Sequence, residues 1–221
     1  MHNMLYYNID YAFFKISNTG DALFLSIKYE KFNILDLSDE EYQNFYSLMD
    51  DMRKQKVDIL ANEKNKKQTV AGEMLAKKTI SNYLNISYDS IKIIEAENGK
   101  PFAENLDIHF NISHSDNIVV CAISETEIGI DIEKLRPINL KVAKRFCSCE
   151  ELNYIFGFSP CDKDFCFTEN TEILTRFFEI YTKKESVVKY NGNGISDLKN
   201  AKISDKTKTF YEDGFIISIS E

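Results

Sequence analysis

Three short stretches of this chain carry residue types that could do chemistry together. The first is Glu127-Ile128-Gly129-Ile130-Asp131-Ile132-Glu133-Lys134. Its alternation is that of a strand, with the three isoleucines on one face and Gly129, Asp131 and Glu133 on the other. Two residues at strand rise put the two carboxylates about 7 Å apart. Beside a buried apolar row such a pair is costly unless it is solvated or bound to a cation. All-oxygen donors suit a hard ion such as Mg²⁺, which takes its remaining ligands from phosphate and water. An edge strand with a wet outer face is the competing reading, and this segment alone does not choose between them.

The second stretch is Phe177-Phe178-Glu179-Ile180-Tyr181-Thr182-Lys183-Lys184-Glu185-Ser186-Val187-Val188-Lys189. On a helix Glu185 and Lys189 lie one turn apart, while Phe177, Tyr181 and Val188 mark an apolar stripe. A carboxylate among three lysines fits a third metal ligand framed by phosphate-binding ammonium groups. Taken in isolation, an exposed Glu185–Lys189 salt bridge is the simpler reading. The third stretch, Phe110-Asn111-Ile112-Ser113-His114-Ser115, sets a histidine between serines just after a strand, where an imidazole can donate to a phosphate or move a proton.

The elements that must position these residues read as a mixture of strands and helices, hence an α+β chain. Strands are expected at residues 4–9, 12–16 and 22–27, and again at 91–94, 108–112, 118–123 and 128–132. Ser38 and Glu41 have capping-box spacing, followed by Tyr42, Phe45, Met49 and Met52 at helical intervals. The lysine-rich stretch 62–67 reads as a solvated loop before a helix over 69–84. Further helices are expected over 140–146, after Ser148 (a second capping box, with Glu151), and over 172–189. An irregular segment fills 157–171, and a hairpin turning at Asp213-Gly214 joins 209–211 to 215–219.

In order, the three motifs resemble the signature motifs of the 4′-phosphopantetheinyl transferases, in the larger, surfactin-synthetase-activating type. Gly99-Lys100-Pro101 and Lys141-Val142-Ala143-Lys144-Arg145-Phe146, with Ser148 and Glu151 behind it, extend the likeness over about residues 50–195. The family usually carries Trp where this chain has Tyr181. The resemblance implies two pseudo-twofold-related α+β subdomains, residues 1–104 and 105–221, with a coenzyme A cleft between them. It also implies transfer of the 4′-phosphopantetheine arm of coenzyme A to a serine of an apo acyl or peptidyl carrier protein, with release of 3′,5′-ADP. By motif, Asp131, Glu133 and Glu185 would hold Mg²⁺ (Mn²⁺ being the alternative). Glu185, or else Glu133, would serve as general base. Lys184 and Lys189 would contact the pyrophosphate. Lys100, Ser113 and His114, with Arg53, Lys56 and Thr69 upstream, would grip the nucleotide end.

Composition is compatible with this. A formal net charge of -8 over 221 residues argues against a general nucleic-acid binder, so anionic ligands must meet a local cluster of Lys and Arg. The apolar run at 118–123 is six residues, far short of the roughly 20 a membrane helix needs. With no leader visible at the N-terminus, the expectation is a cytoplasmic protein that is not membrane-bound, and a monomer since one chain holds both halves. The five cysteines are read as free thiols, Cys147-x-Cys149 and Cys161-x₄-Cys166 being poorly spaced for zinc. Two rival activities stay open: a non-catalytic coenzyme A or carrier-binding module, and a metal-dependent phosphohydrolase.

Overall fold

A computed structural model describes residues 28–97, 99–157, 169–192 and 195–221. The strands expected at 4–9, 12–16 and 22–27 lie outside them, as does most of 157–171 with Cys161 and Cys166. Among the described residues two three-stranded antiparallel sheets form the frame. In the first, β1 (Lys28–Asn33) pairs with β5 (Ile118–Ser124), which pairs with β4 (His109–Ser115). In the second, β8 (Phe215–Ser220) lies between β6 (Gly129–Lys134) and β7 (Lys208–Glu212). A two-stranded ribbon joins β2 (Ile93–Glu95) to β3 (Pro101–Ala103). The first sheet is therefore completed by strands C-terminal of residue 104.

One long helix backs each sheet. The first, α3 (Glu63–Leu84), lies on β1, β4 and β5 and buries Met74, Leu75 and Ile80 against Phe32, Phe110 and Ile123. Its partner in the second half, α6 (Thr171–Asn191), lies on β6 and β8. Phe177 and Phe178 of α6 pack on the short helices α4 (Leu140–Phe146) and α5 (Cys149–Phe156). The isoleucines of β6 form a third cluster with Tyr29, Val120 and Ala122, which joins the two sheets. Burial of that row is complete or nearly so, and at about 25 cal/mol per Å² of apolar surface it is a main contribution to the junction.

Two local readings need correction. The helical pattern expected to run through Met52 divides into α1 (Asp39–Ser47) and α2 (Asp51–Asp58), because Asp50 takes an extended conformation and its carboxylate accepts the Met52 N–H as a new cap. The lysine-rich stretch is helical, not a loop. Asn62 caps the Lys64 N–H and Glu63 pairs with Lys66 within the first turn, so charge along this segment covers a helix end. Both capping boxes, Ser38/Glu41 and Ser148/Glu151, are formed.

Helix α6 approaches β6 unusually closely. A Cβ at Gly129 would stand 2.0 Å from the Ser186 carbonyl and 2.5 Å from the Tyr190 nitrogen, so only glycine allows this approach. Hydroxyl pairs fix the helix on the sheet: Thr182 with Ser218 at 2.8 Å, and Ser186 with Ser220 at 2.8 Å. Thr209 and Thr207 extend these pairs onto and beside β7. A buried hydroxyl needs a partner, so the matching of these residues fixes the position of α6 along the strand.

Candidate active site

Side by side and running in the same direction, β4 and β6 are bridged by side chains of β4. The Asn111 Oδ1 accepts the Ile130 N–H at 3.1 Å, the Ser113 Oγ the Ile132 N–H at 3.4 Å and the Ser115 Oγ the Lys134 N–H at 3.0 Å. The edge of β6 facing β4 is thus satisfied by a short polar side chain at every second residue. This also settles the wet-edge reading: the face that carries Asp131 is turned inward, and Asp131 is only 5% exposed.

The same serines hold the acids. The Ser113 hydroxyl donates to Asp131 Oδ1 at 2.8 Å, and the Ser115 hydroxyl donates to Glu133 Oε2 at 3.0 Å. From α6, Lys189 Nζ donates to Asp131 Oδ1 at 2.7 Å, to Ser113 Oγ at 2.8 Å and to the Ile130 carbonyl at 3.1 Å. Lys189 therefore crosses to β6; the simple exposed pair with Glu185 is not what forms. Glu185 is itself buried, 6% exposed, and its Oε1 accepts the Tyr181 hydroxyl at 3.1 Å. Arg136 donates to Glu133 Oε2.

Electrostatics show that the three acids sense one another. Burial raises the Glu185 pKa, and the charges of Asp131 and Glu133 push it further, against the lowering effects of Lys189 and Tyr181. Burial and the same three carboxylates keep the Tyr181 phenol protonated well above its ordinary range, so it remains a donor. Asp131 Oδ2 is buried and has no hydrogen-bond partner among the described residues. Among the described residues no three such side chains converge into a ready-made metal cluster. The unpartnered oxygen and the crowded, oxygen-only donors nonetheless fit a hard divalent cation whose coordination is completed from outside the protein.

The other residues singled out by motif fall elsewhere. Lys184 is 1% exposed and turned away from the acids, donating to the Phe146 carbonyl, Glu151 Oε2 and the Lys199 carbonyl at 2.8–3.0 Å. Arg53 donates to Glu73 at 3.0 Å and, with Lys56, to the Glu95 carboxylate. Lys100 pairs with Glu127 at 2.5 Å, and the Thr69 hydroxyl returns to the Asn65 carbonyl within α3. His114 is exposed on β4, its pKa lowered by partial desolvation and by the charge of Lys189. Sequence reasoning did not assign roles to Ser115, Asn111, Arg136 or the Tyr181 hydroxyl. The alternation Asn-x-Ser-x-Ser was the available signal for the first two.

Comparison with known proteins shows the family of the chain. Residues 36–126 match the family model described as 4′-phosphopantetheinyl transferase, N-terminal, and residues 127–216 match that of the 4′-phosphopantetheinyl transferase superfamily. The chain is 36% identical over 161 residues to the 4′-phosphopantetheinyl transferase Sfp of Bacillus subtilis (strain 168), covering 72% of this chain and 67% of the relative. It is 38% identical over 172 residues to the 4′-phosphopantetheinyl transferase gsp of Aneurinibacillus migulanus, covering 77% and 68%. With HetI of Nostoc sp. (strain PCC 7120), named as the same kind of transferase, identity is 30% over 148 residues, covering 63% and 58%. Motifs, fold and these likenesses agree: the chain belongs to the 4′-phosphopantetheinyl transferase superfamily.

Proposed function

We propose that this protein transfers the 4′-phosphopantetheine arm of coenzyme A to a serine hydroxyl of an apo acyl or peptidyl carrier protein, releasing 3′,5′-ADP. The observation that carries the reading is the joint placement of Asp131, Glu133, Glu185 and Lys189 where β6 meets α6, in a chain of this family. Asp131, Glu133 and Glu185 would hold the divalent cation, Mg²⁺ or Mn²⁺. When bound, that ion supplies positive charge at the pyrophosphate, where charge neutralisation and positioning are most of what phosphoryl transfer needs.

The chain's own groups do the rest. The serine oxygen forms a bond to the phosphorus next to the pantetheine, the phosphoanhydride bond breaks, and 3′,5′-ADP leaves with the electron pair. Glu185 takes the serine proton, as a carboxylate set beside the attacking hydroxyl can. Lys189 has a partly exposed ammonium group that can turn toward a phosphate oxygen while staying near Asp131. Arg53, Lys56, Thr69, Lys100, Ser113 and His114 are assigned to the nucleotide end. The contacts of Lys184 support a tie between α6, α5 and the 195–200 segment in place of a phosphate contact. No helix among the described residues is long and apolar enough to cross a membrane. A cytoplasmic monomer acting on a protein partner completes the proposal, with two α+β halves facing across the coenzyme A site.

The test is intact-mass spectrometry of apo carrier proteins incubated with this protein, coenzyme A and Mg²⁺. The expected result is a gain of one phosphopantetheine mass that EDTA abolishes. Coenzyme A binding without any gain on carriers of several classes would overturn the transfer reading. Release of 4′-phosphopantetheine without a carrier would replace it with hydrolysis.

A further inference from the structure

Ser113 and Ser115 do the same two jobs one strand repeat apart. Each accepts a main-chain N–H of β6 and donates its one proton to the carboxylate of the preceding residue. Both serines are buried. A hydroxyl has one donor and two acceptor positions, so an amide proton arriving from β6 restricts where its own proton can point. In Ser115 that proton points at Glu133.

Glu133 needs such a hold more than Asp131 does. Its side chain has one more rotatable bond, and fixing it costs rotamer entropy that a ligand would otherwise have to offset. Its Oε2 is held from two sides, by Ser115 at 3.0 Å and by Arg136 at 2.5 Å. The Arg136 guanidinium in turn lies 4.9 Å from the centre of the Phe178 ring on α6. Both of these contacts fall on Oε2, so among the described residues Oε1 is the oxygen left to meet a ligand.

We propose that Ser115 is a positioning residue for the transfer reaction: it presets the Glu133 carboxylate for the divalent cation that Glu133 would share with Asp131. The inference rests on the reading above that these acids hold the cation. Fixing a ligand's second oxygen commonly changes metal affinity by 10- to 100-fold when the fixing partner is lost.

The test is Mn²⁺ binding to the full chain with coenzyme A and no carrier protein, followed by the loss of the free-ion electron paramagnetic resonance signal. Ser115→Ala should weaken Mn²⁺ binding about tenfold, with coenzyme A binding in EDTA unchanged. Ser115→Thr, which keeps the hydroxyl on a strand, should restore the parent affinity. If Ser115→Ala does not fold, Ser115→Cys, a weaker donor of similar size, should show the same loss. Unchanged Mn²⁺ affinity in the serine variants, with only a lower melting midpoint, would mean that the hydroxyl serves the Lys134 amide alone and would overturn this role. A parent protein that binds no Mn²⁺ in the presence of coenzyme A would overturn the metal reading and this inference together.

Discussion

Lys184 and Lys189 lie five residues apart on α6, and each donates to three oxygens. Five residues turn a helix by about 140° beyond a full circle, so the two side chains leave it in different directions. Lys184 meets two main-chain carbonyls and Glu151 in a pocket that excludes water. Lys189 is 26% exposed at its side chain, and its carboxylate partner keeps an oxygen with no hydrogen bond among the described residues. Around Lys184 every charge is matched by fixed groups. Around Lys189 three acids crowd one ammonium group and one arginine. The same residue type is therefore fully matched in one place and set beside an unmatched carboxylate in the other, and the difference lies in what its partners still lack.

The sharpest way to break this contrast is at Glu185. Glu185→Gln keeps shape and removes the charge, and transfer to a carrier should fall by about 1,000-fold, within the range for loss of a general base. The melting midpoint should hold or rise, because the raised pKa of Glu185 means that its charge is unfavourable in the fold. Mass spectrometry of the carrier and thermal denaturation check the two halves of this expectation. Lys184→Met should do the reverse. It strands Glu151 and two buried carbonyls, and costs about 3 kcal/mol of stability, read by urea denaturation. Coenzyme A affinity should be retained in the folded fraction. A large loss of affinity there would return Lys184 to the pyrophosphate.

A smaller effect would sharpen the contrast at the charges carried by α2 and β2. Arg53 and Lys56 belong with the matched charges, since both meet the Glu95 carboxylate. Partial burial works against that carboxylate's charge, yet hydrogen bonds from Lys56 and Arg53 hold its pKa below the ordinary range. If those cations grip the nucleotide end, Glu95 competes with the ligand for them. Glu95→Gln should tighten coenzyme A binding a few-fold at low ionic strength, and the gain should fade as salt screens it. Calorimetry at two salt concentrations, repeated with dephospho-coenzyme A, checks both the direction and the phosphate involved. Unaltered affinity would remove Arg53 and Lys56 from the nucleotide site.

Features set by neighbours in sequence were legible in advance. The capping boxes at Ser38 and Ser148, the alternation of β6 and the helical stripe on α6 depend on spacing alone. The break at Asp50 and the cap at Asn62 were misread because hydrophobic spacing and lysine content outweighed single capping residues, although those residues decide where a helix starts. β1 was missed because its polar residues, among them buried Glu30, interrupt the apolar alternation. At the site, the acids and Lys189 could be named from their motifs. What could not be read was that β4 lies against β6, because that contact is set by the closing of two sheets across Val120, Ala122 and the isoleucine row. Ser115 and Lys184 meet such distant partners, which is why the contacts of neither could be read in advance.

The smallest expected effect concerns a charge that is matched but not buried. Asp116 sits in the turn between β4 and β5 at a positive φ of 52°, and its carboxylate meets Lys64 of α3 and Lys134 at the end of β6. Hydrogen bonds from Lys134 and then Lys64 lower its pKa to about 2 from the ordinary value of 3.8. The sign follows from linkage: a depressed carboxylate stabilises the fold above its unfolded pKa, and that contribution is lost as pH falls toward the folded value. Asn also tolerates left-handed backbone, so Asp116→Asn removes charge with little added strain. Urea midpoints of the variant should be slightly lower at neutral pH, and the two proteins should converge between about pH 4 and pH 2. High salt at neutral pH should narrow the gap as well, because water already screens this group. Curves that stay parallel through that pH range would mean that the Asp116 charge contributes nothing. The tie from α3 to the β4–β5 turn would then rest on Gln68, which donates to the Asp116 carbonyl at 2.8 Å.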